Sequence, residues 1–142
     1  MTDGNANGNQ EGATTPLMSW NNNLKALLVD PSPACRLIGK AYLTAYGVNT
    51  EAVDNADVAI ILLNMGASFN VILIDMHMRE MNGAQFAMLL RSSGVQTKLL
   101  GMSAMFRERE KEEFLEAGGD GFIEKPLHPS KFVPILQELD SN

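Results

Sequence analysis

Apolar residues in this chain come in short unbroken runs: Leu27-Leu28-Val29, Val71-Ile72-Leu73-Ile74, Leu99-Leu100-Gly101-Met102 and Phe122-Ile123. Runs of this length, bounded by turn residues, read as strands buried on both faces, which is the pattern of a parallel sheet. The predicted strands cover about 25–30, 48–53, 71–75, 97–102 and 121–124. Between them lie segments with helical period and helical punctuation. Ser32-Pro33 caps and opens a helix to about Tyr46, stopped by Gly47. Asp54 or Asn55 starts a second helix through Asn64, ended by Gly66. Its centre, Val58 to Leu63, is apolar all round, which predicts deeper burial than a surface helix has. Asn82-Gly83 leads into a helix at about 84–92 ending near Gly94, a charged helix spans about 106–117 before Gly118-Gly119, and Pro129-Ser130 opens a last helix at about 130–139. Five strands alternating with five helices give an α/β fold: a parallel sheet with helices on both faces and right-handed crossovers. The chain has no internal repeat.

The strand ends carry the chemistry. The first closes on Asp30, the third on Asp75, the fourth on Ser103 and the fifth on Lys125-Pro126. In open α/β sheets ligands bind beyond the carboxyl ends of the strands, so two carboxylates, a hydroxyl and an ammonium are expected on one edge. Asp75, which closes the run Val71-Ile72-Leu73-Ile74, is the first candidate for a functional residue.

Length and composition limit what else the chain contains. With 142 residues, 45% of them hydrophobic, it suits one compact domain, expected over 24–140. Residues 1–23 hold six Asn, three Gly and two charged residues, a composition that predicts a disordered tail. That segment lacks the basic start and apolar stretch of a signal peptide, and no run is long enough to span a membrane. A single cysteine, Cys35, fits a reducing compartment, so a cytoplasmic or also nuclear location is expected. The net charge of −6 argues against a nucleic-acid partner. The acidic run from Glu108 onward reads as a solvated helix face with local ion pairs.

Four features in order resemble the receiver domains of two-component response regulators. They are Val29-Asp30; Asp75-Met76-His77-Met78 with Met81 and Gly83; Ser103-Ala104; and Glu116-Ala117-Gly118-Gly119 leading to Lys125-Pro126. The resemblance spans about 24–140 and is strongest toward the stand-alone type-C response regulators of plants, because these 142 residues are expected to hold no output domain and the approach to the third strand reads Gly66-Ala67-Ser68-Phe69. It implies a flavodoxin-like (βα)5 three-layer sandwich with strand order 2-1-3-4-5, which sets Asp30 beside Asp75.

The resemblance also implies roles. Asp75 would take a phosphoryl group from a phosphohistidine on a histidine-phosphotransfer protein, in a phosphorelay of the kind used in cytokinin signalling. Lys125 and Ser103 would contact the phosphoryl oxygens, and Phe122 would stand at the switch aromatic that is often tyrosine. Mg2+ would be held by Asp30, Asp75 and the backbone carbonyl of His77, with the His77 ring left out because imidazole suits zinc or copper better. The exposed face of the first helix would receive the partner, and the protein is expected to be a monomer. His128 reads as a loop residue and Cys35 as a small buried hydrophobe.

Two departures bear on function. Receivers carry adjacent acidic residues after the first strand, but here the pair is Asp30-Pro31, and proline brings no carboxylate. A weakened magnesium site follows. Arg79 stands where the family has proline and is expected to project into solvent. Two readings result: a stand-alone receiver acting as a phosphate sink or competitor, or a pseudo-receiver that binds phosphorelay partners without being phosphorylated.

Overall fold

A computed structural model describes residues 15–141. The elements are β1 (Lys25–Val29), α1 (Pro33–Ala45), β2 (Asn49–Val53), α2 (Ala56–Asn64), β3 (Val71–Asp75), α3 (Gly83–Ser92), β4 (Lys98–Ser103), α4 (Glu108–Glu116), β5 (Gly121–Glu124) and α5 (Pro129–Asp140). All strand pairs are parallel, in the order β2-β1-β3-β4-β5. Every residue of β3 is buried, as its unbroken apolar run requires. Successive residues of a strand face opposite sides, so each run feeds two cores. Leu28, Leu73 and Leu100 pack with Leu43, Phe132 and Leu136 on the α1 and α5 side. Leu27, Ile72 and Leu99 pack with Ala59, Phe86 and Phe114 on the other. The result is a three-layer sandwich.

Caps fix where the helices begin and end. The Ser32 hydroxyl accepts from the Cys35 N–H at 3.2 Å and Pro33 follows it at the start of α1. Asn82 and Gln85 form a reciprocal capping box on α3. His128, read from sequence as a loop residue, caps α5 by accepting from the Ser130 N–H at 3.1 Å. After α1 the chain turns at Gly47 with φ +86°, and a Cβ there would meet the Met18 carbonyl oxygen at 2.8 Å. Only glycine satisfies both conditions.

Two expectations are corrected. The apolar centre of α2 is not deeply buried: Val58 is 36% and Ile61 54% exposed, and the helix buries only Ala56 and Ala59. It meets the sheet at β1 and the edge strand β2, so a narrow stripe of small residues is all it can cover. The second correction concerns the expected tail. Residues 1–14 lie outside the described residues, but 15–23 form a strap against the ends of α1 and α5. The Leu17 N–H donates to the Ala45 carbonyl at 2.8 Å and the Trp20 indole to that of Tyr46 at 2.7 Å, satisfying carbonyls that the end of α1 leaves open. The N–H groups of Asn21 and Asn22 donate to the Asp140 carboxylate at 2.6 and 2.8 Å. A few specific bonds thus order a segment whose average composition argues for disorder.

Burial of Asp140 pushes its carboxyl up, but the two backbone N–H bonds and the Asn22 amide outweigh that and hold it below the usual carboxylate range. A lowered folded-state pKa contributes stability above the unfolded value of about 4 and loses it as pH falls through the folded value. Asp140→Ala should therefore speed amide exchange at Asn21 and Asn22 at neutral pH. Its melting-point deficit should shrink as pH drops below 4. A deficit independent of pH would mean that the strap bonds do not depend on the ionised carboxylate.

Gly101 generates a packing prediction. A Cβ at this position of β4 would lie 2.7 Å from the Phe122 ring and 3.0 Å from that of Phe114. Gly101→Ala should cost about 1–3 kcal/mol by overpacking. Urea titration should show a lower midpoint with an unchanged slope.

Candidate functional site

The parallel order sets the exits of β1 and β3 side by side at one sheet edge. Val29 pairs with Ile74, so Asp30 and Asp75 each follow directly from paired positions. Both are buried, at 1% and 3% exposure. The Asp30 N–H donates to the Val53 carbonyl at 3.0 Å and the Arg36 guanidinium to the Asp30 carbonyl at 2.8 Å, which anchors the turn after β1. Asp30 Oδ1 accepts from the Ser32 N–H at 2.9 Å, and Asp75 Oδ2 accepts from the His77 N–H at 2.9 Å.

The remaining oxygens face Lys125. Its Nζ lies 2.9 Å from Asp30 Oδ2 and 2.6 Å from Asp75 Oδ1, on a side chain only 11% exposed. A buried ion is costly unless paired and hydrogen-bonded, and here each carboxylate oxygen has a donor. Burial alone would lower the Lys125 pKa, but the hydrogen bonds and negative charges of Asp75 and Asp30 outweigh it and raise it well above the ordinary lysine value. The ammonium stays charged. The Lys125-Pro126 peptide is cis.

Ser103 ends β4 at the same edge, 1% exposed, but its hydroxyl is turned onto the loop before α4. It donates to the Met105 carbonyl at 2.9 Å and accepts from the Met105 N–H at 3.3 Å. Phe122 packs edge-on between Phe106 and Phe114, with ring centroids 6.2 and 6.1 Å away. The His77 ring leaves the carboxylates and meets Glu110 of α4, Nε2 to Oε2, at 3.0 Å. Arg79 is exposed. The structure thus brings Asp30, Asp75 and Lys125 into contact and leaves Ser103, Phe122 and the His77 ring on the neighbouring α4 side.

Two residues at the site escaped the sequence reading. Cys35 is half-buried rather than buried, with its thiol 3.6 Å from Lys125 Nζ. Glu110 looked like one more solvated charge on an acidic helix, and nothing in the sequence links it to His77 across 33 positions.

Receiver domains in general bind Mg2+ at an acidic site. Among the described residues no three His, Cys, Asp or Glu side chains converge as metal ligands. The donor set is the pair Asp30 and Asp75. Mg2+ keeps several waters and uses one or two protein carboxylates, so the pair fits it chemically.

The chain matches the family model described as the response regulator receiver domain over residues 26–137. It is 38% identical over 117 residues to the Arabidopsis thaliana two-component response regulator 24, covering 82% of this chain and 84% of that one. It is 31% identical over 118 residues to the Arabidopsis thaliana two-component response regulator ARR22, covering 82% and 83%. The matched part leaves little room in either relative for a second domain. Among solved structures, the chemotaxis protein CheY4 of Vibrio cholerae superimposes with a TM-score of 0.75 at 26% identity, covering 83% of this chain and 99% of that one. No helix among the described residues is long and apolar enough to cross a membrane. The matched segment takes in the five strands, save the first residue of β1, and the whole Asp30, Asp75 and Lys125 triad, and the chain belongs to the response regulator receiver domain family.

Proposed function

We propose that this protein accepts a phosphoryl group on Asp75 from a phosphohistidine of a histidine-phosphotransfer protein, and so acts as a phosphate sink or competitor in a phosphorelay. The observation that carries this reading is the buried Asp75 carboxylate at the end of the central strand, with Lys125 Nζ 2.6 Å from one oxygen. Buried charge pairs also occur in purely structural networks. What favours chemistry here is the combination of a nucleophile-capable carboxylate, a fixed counter-ion and a hydroxyl on one sheet edge.

In the transfer, an Asp75 carboxylate oxygen attacks phosphorus, the phosphorus–nitrogen bond to the partner's imidazole breaks, and the imidazole leaves as the neutral base after taking a proton. The product is an aspartyl phosphate. Lys125 neutralises charge on the transferred group from a position it already holds, so little reorganisation is needed. Ser103 gives up Met105 and donates to a phosphoryl oxygen, and Phe122 turns into the space behind it. Mg2+ supplies further positive charge when bound, held by Asp30, Asp75 and the backbone carbonyl of His77. Pro31 removes a second carboxylate at the turn, and the binding is weak for that reason.

The exposed face of α1, with Leu37 at 72% and Ile38 at 44% exposure, is the surface on which the partner docks. The two Arabidopsis relatives, which hold little beyond this domain, support the stand-alone role. A location in the cytoplasm and nucleus suits such a phosphorelay. The second reading, a pseudo-receiver that binds the same partner without taking phosphate, is favoured by Pro31 alone.

Binding does not separate the two readings, but phosphate loss does. Adding the protein to a phosphorylated histidine-phosphotransfer protein should drain its phosphohistidine, followed on a phosphate-affinity gel. Asp75→Asn should abolish the loss while keeping the complex. Unchanged partner phosphate over a long incubation, with the complex present, would favour the pseudo-receiver.

The magnesium account makes a separate prediction. Pro31→Asp should tighten Mg2+ binding by about tenfold in calorimetry, since it restores a carboxylate at the turn. Equal affinity in the two proteins would contradict the assigned role of Pro31.

A further inference from the structure

α4 is held loosely for a helix beside a functional site. It buries one residue, Phe114. Its N-cap is Arg107, whose side chain makes no capping bond, so its first turn lacks the side-chain acceptor that the other helices have. Glu110 occupies N3, the position from which a carboxylate can reach back to the N-cap N–H. In α3 the equivalent Gln85 does this, accepting from the Asn82 N–H at 2.9 Å. Glu110 instead points away from its own helix and accepts from His77 Nε2 at 3.0 Å.

That arrangement is incomplete. Glu110 Oε1 is, among the described residues, the buried side-chain polar atom with no hydrogen-bond partner. A buried acceptor left unmade is costly, and a better-satisfied position exists one turn away at the helix N-terminus. The uncapped helix start therefore offers the Glu110 carboxylate a second bonding position. Its present partner sits on the loop after β3, where the His77 N–H is bonded to the Asp75 carboxylate.

We propose that Glu110 and His77 form a two-position latch on α4, closed while Asp75 is unmodified and opened when Asp75 carries a phosphoryl group. This rests on the reading of Asp75 as the phosphoryl acceptor and deepens it. An acyl phosphate carries about 1.5 to 2 negative charges where a carboxylate carries one, and sets them farther out from the strand end. The new anion competes with Glu110 for the imidazole N–H and repels the Glu110 carboxylate. Glu110 then swings to the Arg107 N–H and completes the capping box. The same event releases Ser103 from Met105, so both ties between the site and the start of α4 exchange together. Glu110 is a positioning residue in this scheme: it acts through His77 and the helix end.

The test reads the Arg107 amide by NMR in the full chain. His77→Ala, at a side chain 62% exposed, should free Glu110 without phosphorylation and slow Arg107 amide exchange by about fivefold. Glu110→Ala should show no such protection, alone or combined with His77→Ala. His77→Gln, which keeps an N–H donor, should leave Arg107 as in the unmodified protein. Loading wild type with a small-molecule phosphodonor, verified by intact mass, should protect Arg107 as His77→Ala does and shift the His77 ring nitrogen. An unprotected Arg107 in His77→Ala, or an unaltered His77 ring in protein shown to be loaded, would overturn the latch. Failure to gain phosphoryl mass would instead sink the functional reading and with it the release step, while the His77→Ala result would still decide whether Glu110 has a second position.

Discussion

The ammonium of Lys125 holds two buried carboxylates together, and the geometry of the site depends on it. Asp30 and Asp75 come from strands that the parallel order makes neighbours, so without a cation between them two buried carboxylates would stand side by side unbalanced. The fold brings that cation from the far side of the sheet, at the end of β5, 95 residues after Asp30. A buried ion cluster of this kind contributes little net stability compared with apolar packing, yet losing one member would leave an uncompensated charge. On the proposed function, a pocket that already balances negative charge with a fixed ammonium is prepared for the further charge of a phosphoryl group.

The α4 side of the pocket contrasts with this rigidity. Ser103 is turned to Met105, Phe122 is sandwiched between two other rings, and Glu110 is drawn off its own helix to His77. Each side chain has a defined partner now and chemistry suited to another. Asp30, Asp75 and Lys125 are engaged with one another, so on the proposed function a change of charge at Asp75 is passed on toward α4. The strap of residues 15–23 is bound at the opposite end of α1 and α5, where it closes helix ends without touching the pocket.

Most of the fold was legible because unbroken apolar runs such as Val71 to Ile74 admit few other interpretations, and because glycines and caps mark the helix ends. The triad was legible for a related reason: in a parallel sheet every strand end points to the same edge, so Asp30, Asp75 and Lys125 could be placed together from chain order. Contacts between elements were not legible. The apolar periphery of α2 predicted burial, but periodicity does not say whether a neighbour exists, and beside an edge strand it does not. Average composition hid the strap, whose order comes from Leu17, Trp20 and two asparagines meeting particular acceptors. Cys35 against Lys125 and His77 against Glu110 join residues 90 and 33 positions apart, and no local pattern encodes either pairing.

The central claim is that Asp75, backed by Lys125, is a working acceptor despite Pro31. Incubating the protein with a small-molecule phosphodonor and Mg2+ and measuring its intact mass tests this without any partner. A single added phosphoryl group, lost with Asp75→Asn and retained in a variant of another carboxylate such as Asp57→Asn, is the expected result. No mass gain at any Mg2+ concentration, in protein shown to be folded, would contradict it.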